Sequence, residues 1–292
     1  MQAKKEKILI FNSDDFGHSH PFNMGVYRGI KAGVLATSCV LANMEGYNEA
    51  TSLISDLKNI KFGIHLNLIE GKSVTEAKFL VDSKSNFNLG YIDILKKSND
   101  IDFLNSVEFE FRAQIERILS DFEINHINSH VHIHSIPNIF KIVCKLADEY
   151  KIPYIRTQFE KPYIVKNLKK NLNLKYPVNL IKRGLLNYFT VQNKKYLPKN
   201  FLTNDYLLGV TYTGFMDKNT VLEGLRAIEG GIVELLIHPA YYENEILKPY
   251  NYNEYKITED ETITDEIKAL GFKLSDCSIY NKEVNDHGKN IK

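Results

Sequence analysis

Along the chain, short apolar runs alternate with longer stretches whose apolar residues recur every three to four positions. The first run, Lys7-Ile8-Leu9-Ile10-Phe11, is aliphatic and bounded by polar residues, which predicts a buried strand over 7–11. A helix over 23–32 follows, stopped by Gly33. A second β-like run over 38–42 precedes a helical stretch over 48–57. Residues 62–68 alternate strictly, with Phe62, Ile64, Leu66 and Leu68 on one face and Gly63, His65 and Asn67 on the other. An amphipathic segment over 106–121 leads into a strand over 126–129, and Pro137 stands where it can open a helix over 138–150. Further on, 153–156 reads as a short strand, 220–228 as a helix ending at Gly230-Gly231, and 232–237 as a strong strand. The last helix is expected over 261–270, stopped by Gly271.

Repeated alternation of strands and helices argues for a parallel sheet covered by helices. A polar residue recurs at the C-terminal end of these strands: Asp14 and Asp15, His65, His130, Arg156, His238. Active sites are built on that rim in a barrel of alternating strands and helices. The expectation is therefore an α/β chain with a (β/α) barrel-like fold, related to the TIM barrel with allowance for irregularity, as one domain over 1–292. Residues 161–204 break the pattern. They are rich in Lys, Asn, Leu and Tyr and hold no Asp or Glu, with helical pieces over 165–174 and 180–188. They read as a basic insertion or flap over the rim.

Composition changes this picture little. The 292 residues are 43% hydrophobic and 25% charged, as in an ordinary globular protein. A formal net charge of +1 gives no reason to expect nucleic acid or an acidic membrane surface as a partner. No stretch approaches a transmembrane span, and the apolar run behind the basic N-terminus is too short for a signal peptide. Cys39, Cys144 and Cys277 are odd in number and widely spaced, which fits reduced thiols and an expected cytoplasmic location.

The chemistry concentrates in two places. In Asn12-Ser13-Asp14-Asp15-Phe16-Gly17, two adjacent carboxylates end a buried strand, a costly arrangement without a compensating cation. In Ser129-His130-Val131-His132-Ile133-His134, an extended conformation would project all three imidazoles to one side. One carboxylate and two imidazoles suit a catalytic divalent ion with open positions, leaving the second carboxylate to take a proton from water. Pro239 restricts His238 to extended backbone and so fixes the direction of its ring. Arg156 is open to a structural pairing with a carboxylate or to a substrate role.

These motifs, together with Gly63-Ile64-His65-Leu66 and the run from Glu234 through His238-Pro239-Ala240, occur in order along the chain. Together they resemble the YdjC-like carbohydrate deacetylase family, which includes chitooligosaccharide deacetylases. The resemblance spans most of the chain outside 161–204. It implies a barrel-like hydrolase that removes the N-acetyl group of an amino sugar or chitooligosaccharide. It further implies one divalent ion, Mg or Zn, held by Asp15, His65 and His130, with Asp14 as base and His238 as catalytic histidine. His132, His134, Arg156 and Asn67 are then expected to touch substrate or support the ligands. The partner expected is a small N-acetylated carbohydrate, with a homodimer as the default assembly. The family usually carries Asp where this chain has Asn128 and often Ala where it has Ser13. Rival readings are a metal-dependent phosphoesterase or other amidase, and a carbohydrate-binding protein with reduced catalysis.

Overall fold

The computed structural model describes residues 5–57, 60–166, 175–243 and 249–278. Its strands are β1 (Lys7–Phe16), β2 (Thr37–Val40), β3 (Lys61–Leu66), β4 (Ile124–Ser129), β5 (Tyr154–Ile155), β6 (Tyr206–Leu208), β7 (Gly231–Ile237) and β8 (Phe272–Ser275). All pair in parallel in the order β5-β4-β3-β2-β1-β7-β6, and β8 adds to β1. β8 pairs with β1 over Lys7 to Ile10, whereas β2 pairs with it from Asn12 onward, so two strands share one edge of β1. The sheet edges, β5 and β6, are linked through residues 202–207. Ile155 N–H donates to the Leu202 carbonyl (3.0 Å), Leu202 N–H to Pro153 (2.9 Å) and Leu207 N–H to Phe159 (2.8 Å). The result is the expected barrel-like α/β architecture.

The helices are α1 (His20–Lys31), α2 (Tyr47–Leu53), α3 (Tyr91–Lys97), α4 (Ile101–Leu119), α5 (Pro137–Glu149), α6 (Lys175–Asn193), α7 (Lys218–Arg226), α8 (Tyr250–Thr258) and α9 (Ile263–Ala269). Proline stands in the first turn of α1 and α5, where a missing N–H costs nothing. Alternate strand residues separate two environments. Leu9 and Phe11 pack outward with Val233, Leu235 and Ile237, while Ile10 packs with Tyr154, Ile232 and Cys277. The outward face of β3, Phe62, Ile64 and Leu66, joins Phe111 and Ile115 of α4 and Val143 of α5 in the largest core. The opposite face of these strands is polar, and the interior is tightly filled. A Cβ at Gly63 would lie 2.2 Å from His126 Nε2, so only glycine lets that ring cross.

Several expectations are corrected. The first strand runs to Phe16, so Asp14 and Asp15 lie inside it; their polarity imitates a turn because the interior they face is polar. Residues 130–134 are not extended. They form a 3-10 turn, His130–Ser135, with Val131 and His132 in the left-handed region (φ 50° and 61°), so the three imidazoles do not share a side. Stretch 48–57 divides into α2 and a 3-10 turn over Ile54–Asp56, and 180–188 lies within the longer α6. Of the expected helix over 165–174, residues 165 and 166 are not helical and the rest lies outside the described residues. Strands β6 and β8 and helices α3 and α8 were not anticipated. Among the described residues, no helix is long and apolar enough to cross a membrane.

Candidate active site at the strand rim

In a regular strand, Asp14 and Asp15 would point to opposite faces. Here β1 advances from Ser13 to Phe16 while β2 advances only from Ser38 to Val40, one extra residue in β1. Asp15 absorbs it with φ 68°. This bulge brings both carboxylates to the rim.

Asp14 is held by four donors. Its Oδ1 accepts from Asn12 Nδ2 (2.8 Å), Asn128 Nδ2 (3.0 Å) and Arg156 Nη2 (2.9 Å), and its Oδ2 from Arg156 Nη1 (2.7 Å). Burial alone would raise this carboxyl, but the guanidinium and the nearby His65 hold it well below the carboxylate range. Arg156 has no exposed surface. Its other contacts are with Glu234 (Nε to Oε1, 2.7 Å), which also accepts from the Tyr154 hydroxyl (2.8 Å). It therefore braces Asp14 from within the barrel and does not reach the opening.

Asp15, His65 and His130 form the second group, with one potential ligand atom from each lying within 4.8 Å of the others. Asn128 sets the tautomer of His65. Its Nδ2 donates to Asp14, so its Oδ1 faces His65 Nδ1 at 2.5 Å and that nitrogen must carry the proton. In the neutral ring His65 Nε2 is then a lone pair 3.3 Å from Asp15 Oδ1, acceptor against acceptor. A cation between them resolves the clash, so these residues fit a divalent ion. His130 Nδ1 stands 3.1 Å from the same oxygen. Against the lowering effect of burial, Asp15 and Glu70 push His130 up to about 10. Asp15 itself is held well below the carboxylate range by His130 and His65, despite burial. A second grouping, Asp14 with Cys39 and His65, is poorer. Burial pushes the Cys39 thiol well up, and Arg156 already occupies Asp14.

His238 closes the other side. Its ring Nδ1 meets Glu254 Oε2 at 3.2 Å, and its backbone N–H donates to the same oxygen at 2.5 Å. Burial would lower the imidazole, but Glu254, Asp15 and Asp14 together raise it. His134 is fully buried: Ser129 Oγ binds its Nδ1 and its backbone N–H, and its Nε2 meets the Arg156 carbonyl. It pins the 130–135 turn to the strand behind it. His132 is buried beside it, and its Nδ1 has no hydrogen-bond partner. Asn67 is also buried and shapes the turn after β3: its Nδ2 donates to the Glu70 carbonyl (2.8 Å) and its Oδ1 accepts from Ile69 N–H (2.8 Å). Of the four residues expected to touch substrate or support ligands, His134, Arg156 and Asn67 thus act from inside the fold.

Sequence reasoning did not single out Glu70, Glu234 or Glu254. A lone Glu inside the apolar run Ile232–Ile237 is a legible sign of an interior polar contact. Glu254 sits in α8, a tyrosine-rich helix of weak amphipathic pattern, and carried no such sign.

A parallel barrel-like sheet here carries on its rim an Asp and two His side chains whose ligand atoms suit a divalent ion, beside a second aspartate and a carboxylate-bound histidine. The profile of the YdjC-like protein family matches residues 8–270, and the chain belongs to that family. A carbohydrate deacetylase of Clostridium beijerinckii is 29% identical over 264 residues, covering 88% of this chain and 91% of its own. One from Brevibacillus brevis is 29% identical over 262 residues, covering 88% and 90%. A solved structure from Enterococcus faecalis V583, a candidate cellobiose-phosphate cleavage protein, shares the fold at 20% identity. It has a TM-score of 0.70 and covers 94% of this chain and 99% of its own.

Proposed function

We propose that this chain is a carbohydrate deacetylase that hydrolyses the N-acetyl group of an amino sugar or chitooligosaccharide, using one divalent ion, magnesium or zinc, at Asp15, His65 and His130. The observation that carries this reading is the convergence of Asp15, His65 and His130, one ligand atom from each within 4.8 Å of the others, with His65 Nε2 turned onto the Asp15 carboxylate at 3.3 Å. When bound there, the ion lowers the pKa of water from about 15.7 toward about 7 and polarises an amide carbonyl.

The side chains divide the remaining work. Asp14 Oδ2 accepts from Arg156 Nη1 and keeps a lone pair for the proton of the attacking water. The water oxygen bonds to the amide carbon, the C–N bond breaks, and His238 gives a proton to the departing nitrogen, leaving acetate and a free amine. Glu254, Asp15 and Asp14 raise the pKa of His238, the direction a general acid requires. The test is acetate release from N-acetylglucosamine and its short oligomers, with phosphate release from phosphoesters measured in parallel. Acetate is expected, lost on chelation and restored by added magnesium or zinc. Phosphate without acetate would establish the phosphoesterase reading, and sugar binding without turnover would establish a binding protein.

Glu254→Gln separates the two proton carriers. Glu254 raises His238, so its removal lets the imidazole lose its proton at lower pH. The alkaline limb of the kcat/KM profile should move to lower pH. An unmoved alkaline limb would remove His238 from the acid role.

A further inference from the structure

Glu70 lies just beyond β3 on a built turn. Its carbonyl accepts from Asn43 Nδ2 (2.9 Å) and Asn67 Nδ2 (2.8 Å). Its carboxylate Oε1 stands 3.1 Å from His130 Nε2 and 3.1 Å from His18 Nε2. An ionised carboxylate only accepts, so both ring nitrogens present N–H to it. For His130, whose Nδ1 faces Asp15 Oδ1 at 3.1 Å, an ion that took the place of the Nδ1 proton would find the other proton kept on Nε2 by Glu70, and Nδ1 free to ligate. His65 shows the opposite arrangement: Nδ1 is protonated toward Asn128 and Nε2 faces Asp15. The two imidazoles thus expose different nitrogens to one point, each fixed by an acceptor on its far side.

We propose that Glu70 is a positioning residue: it selects the His130 tautomer with a free Nδ1 and holds that ring toward Asp15, with His18 holding Glu70 in place. The inference rests on the divalent-ion reading above and adds the residue that orders its third ligand. His18, in the His18-Ser19-His20 run that the family motifs left without a role, thereby gains one. A mere surface ion pair would do nothing of the kind, since the Glu70 side chain is 41% exposed and such pairs contribute little.

The test is zinc titration calorimetry on the metal-free full chain and on Glu70→Ala, Glu70→Gln and His18→Ala, with visible absorption of the cobalt-loaded forms. Glu70→Ala should weaken zinc binding about 10- to 100-fold and alter the cobalt bands, the range for losing the partner of a ligating imidazole. Glu70→Gln keeps an oxygen acceptor for His130 Nε2–H and should recover most of that loss. His18→Ala should lose less than Glu70→Ala. Native affinity and an unchanged cobalt spectrum in Glu70→Ala would reduce Glu70 to a surface contact and overturn the proposal. Equal losses in the Ala and Gln variants would make its charge or direct ligation the operative property, and would overturn it too. A native chain that binds no zinc would instead refute the divalent-ion reading, and this inference with it.

Discussion

Replacing Asp15 with glycine is expected to abolish divalent-ion binding and to lower acetate release by about 10³-fold or more, the equivalent of several kcal/mol of lost charge stabilisation. Glycine is the informative replacement because Asp15 sits at φ 68°, where alanine would add strain to the loss of the ligand. Without the carboxylate, His65 and His130 have no anion to share, and two neutral imidazoles alone hold a hard ion such as magnesium poorly. Metal content after dialysis and the rate of acetate release read the result. Retained metal with a rate within tenfold of native would move the ion to the Asp14, Cys39 and His65 grouping.

Arg156→Met should be the most destabilising single change in the interior, by about 3–5 kcal/mol. The guanidinium is the shared partner of two carboxylates, Asp14 at 2.7 Å and Glu234 at 2.6 Å, and all three side chains are at most 2% exposed. Removing it strands two buried charges without changing the packing volume much. The sign follows for pH as well. Asp14 lies below its unfolded value in the native chain, so its contribution is present above the carboxylate range and is lost only as pH falls through the folded value. Without Arg156, burial raises Asp14, so that contribution disappears at neutral pH and the acid limb of activity moves upward. Urea unfolding at pH 7 gives the magnitude, and a loss below about 1 kcal/mol would show that the network does not depend on this cation.

How much of this was legible depends on which physical signal each element carries. β3 could be read directly, because one face meets helices and the other meets the barrel interior, so its alternation is clean. β1 was cut short at Phe11 because Asn12 to Asp15 are polar, and a polar barrel interior looks like solvent in the sequence. The histidine run was misread for a different reason. Spacing by two fits a strand, yet Val131 and His132 take positive φ, which no residue preference at those positions announces. Asn128 departs from the aspartate usual in the family and cannot carry its negative charge. In the structure its amide does two opposite jobs, accepting from His65 and donating to Asp14, and an aspartate there would set a second negative charge against Asp14. Glu254 reaches His238 from a helix 16 residues away in sequence, and only folding reveals the pairing.

The bulge that turns Asp15 to the rim also sets chemistry against conformation at one residue. A left-handed aspartate costs roughly 1–2 kcal/mol relative to what glycine would bear there, and it adds a negative charge beside Asp14. Against that cost stand the contacts from His130 (3.1 Å) and His65 (3.3 Å), which the glycine variant gives up. The melting temperature of that variant weighs the two. The backbone at 15 thus favours glycine while the two imidazoles and a bound cation favour aspartate, so the ligand and the barrel answer to different demands.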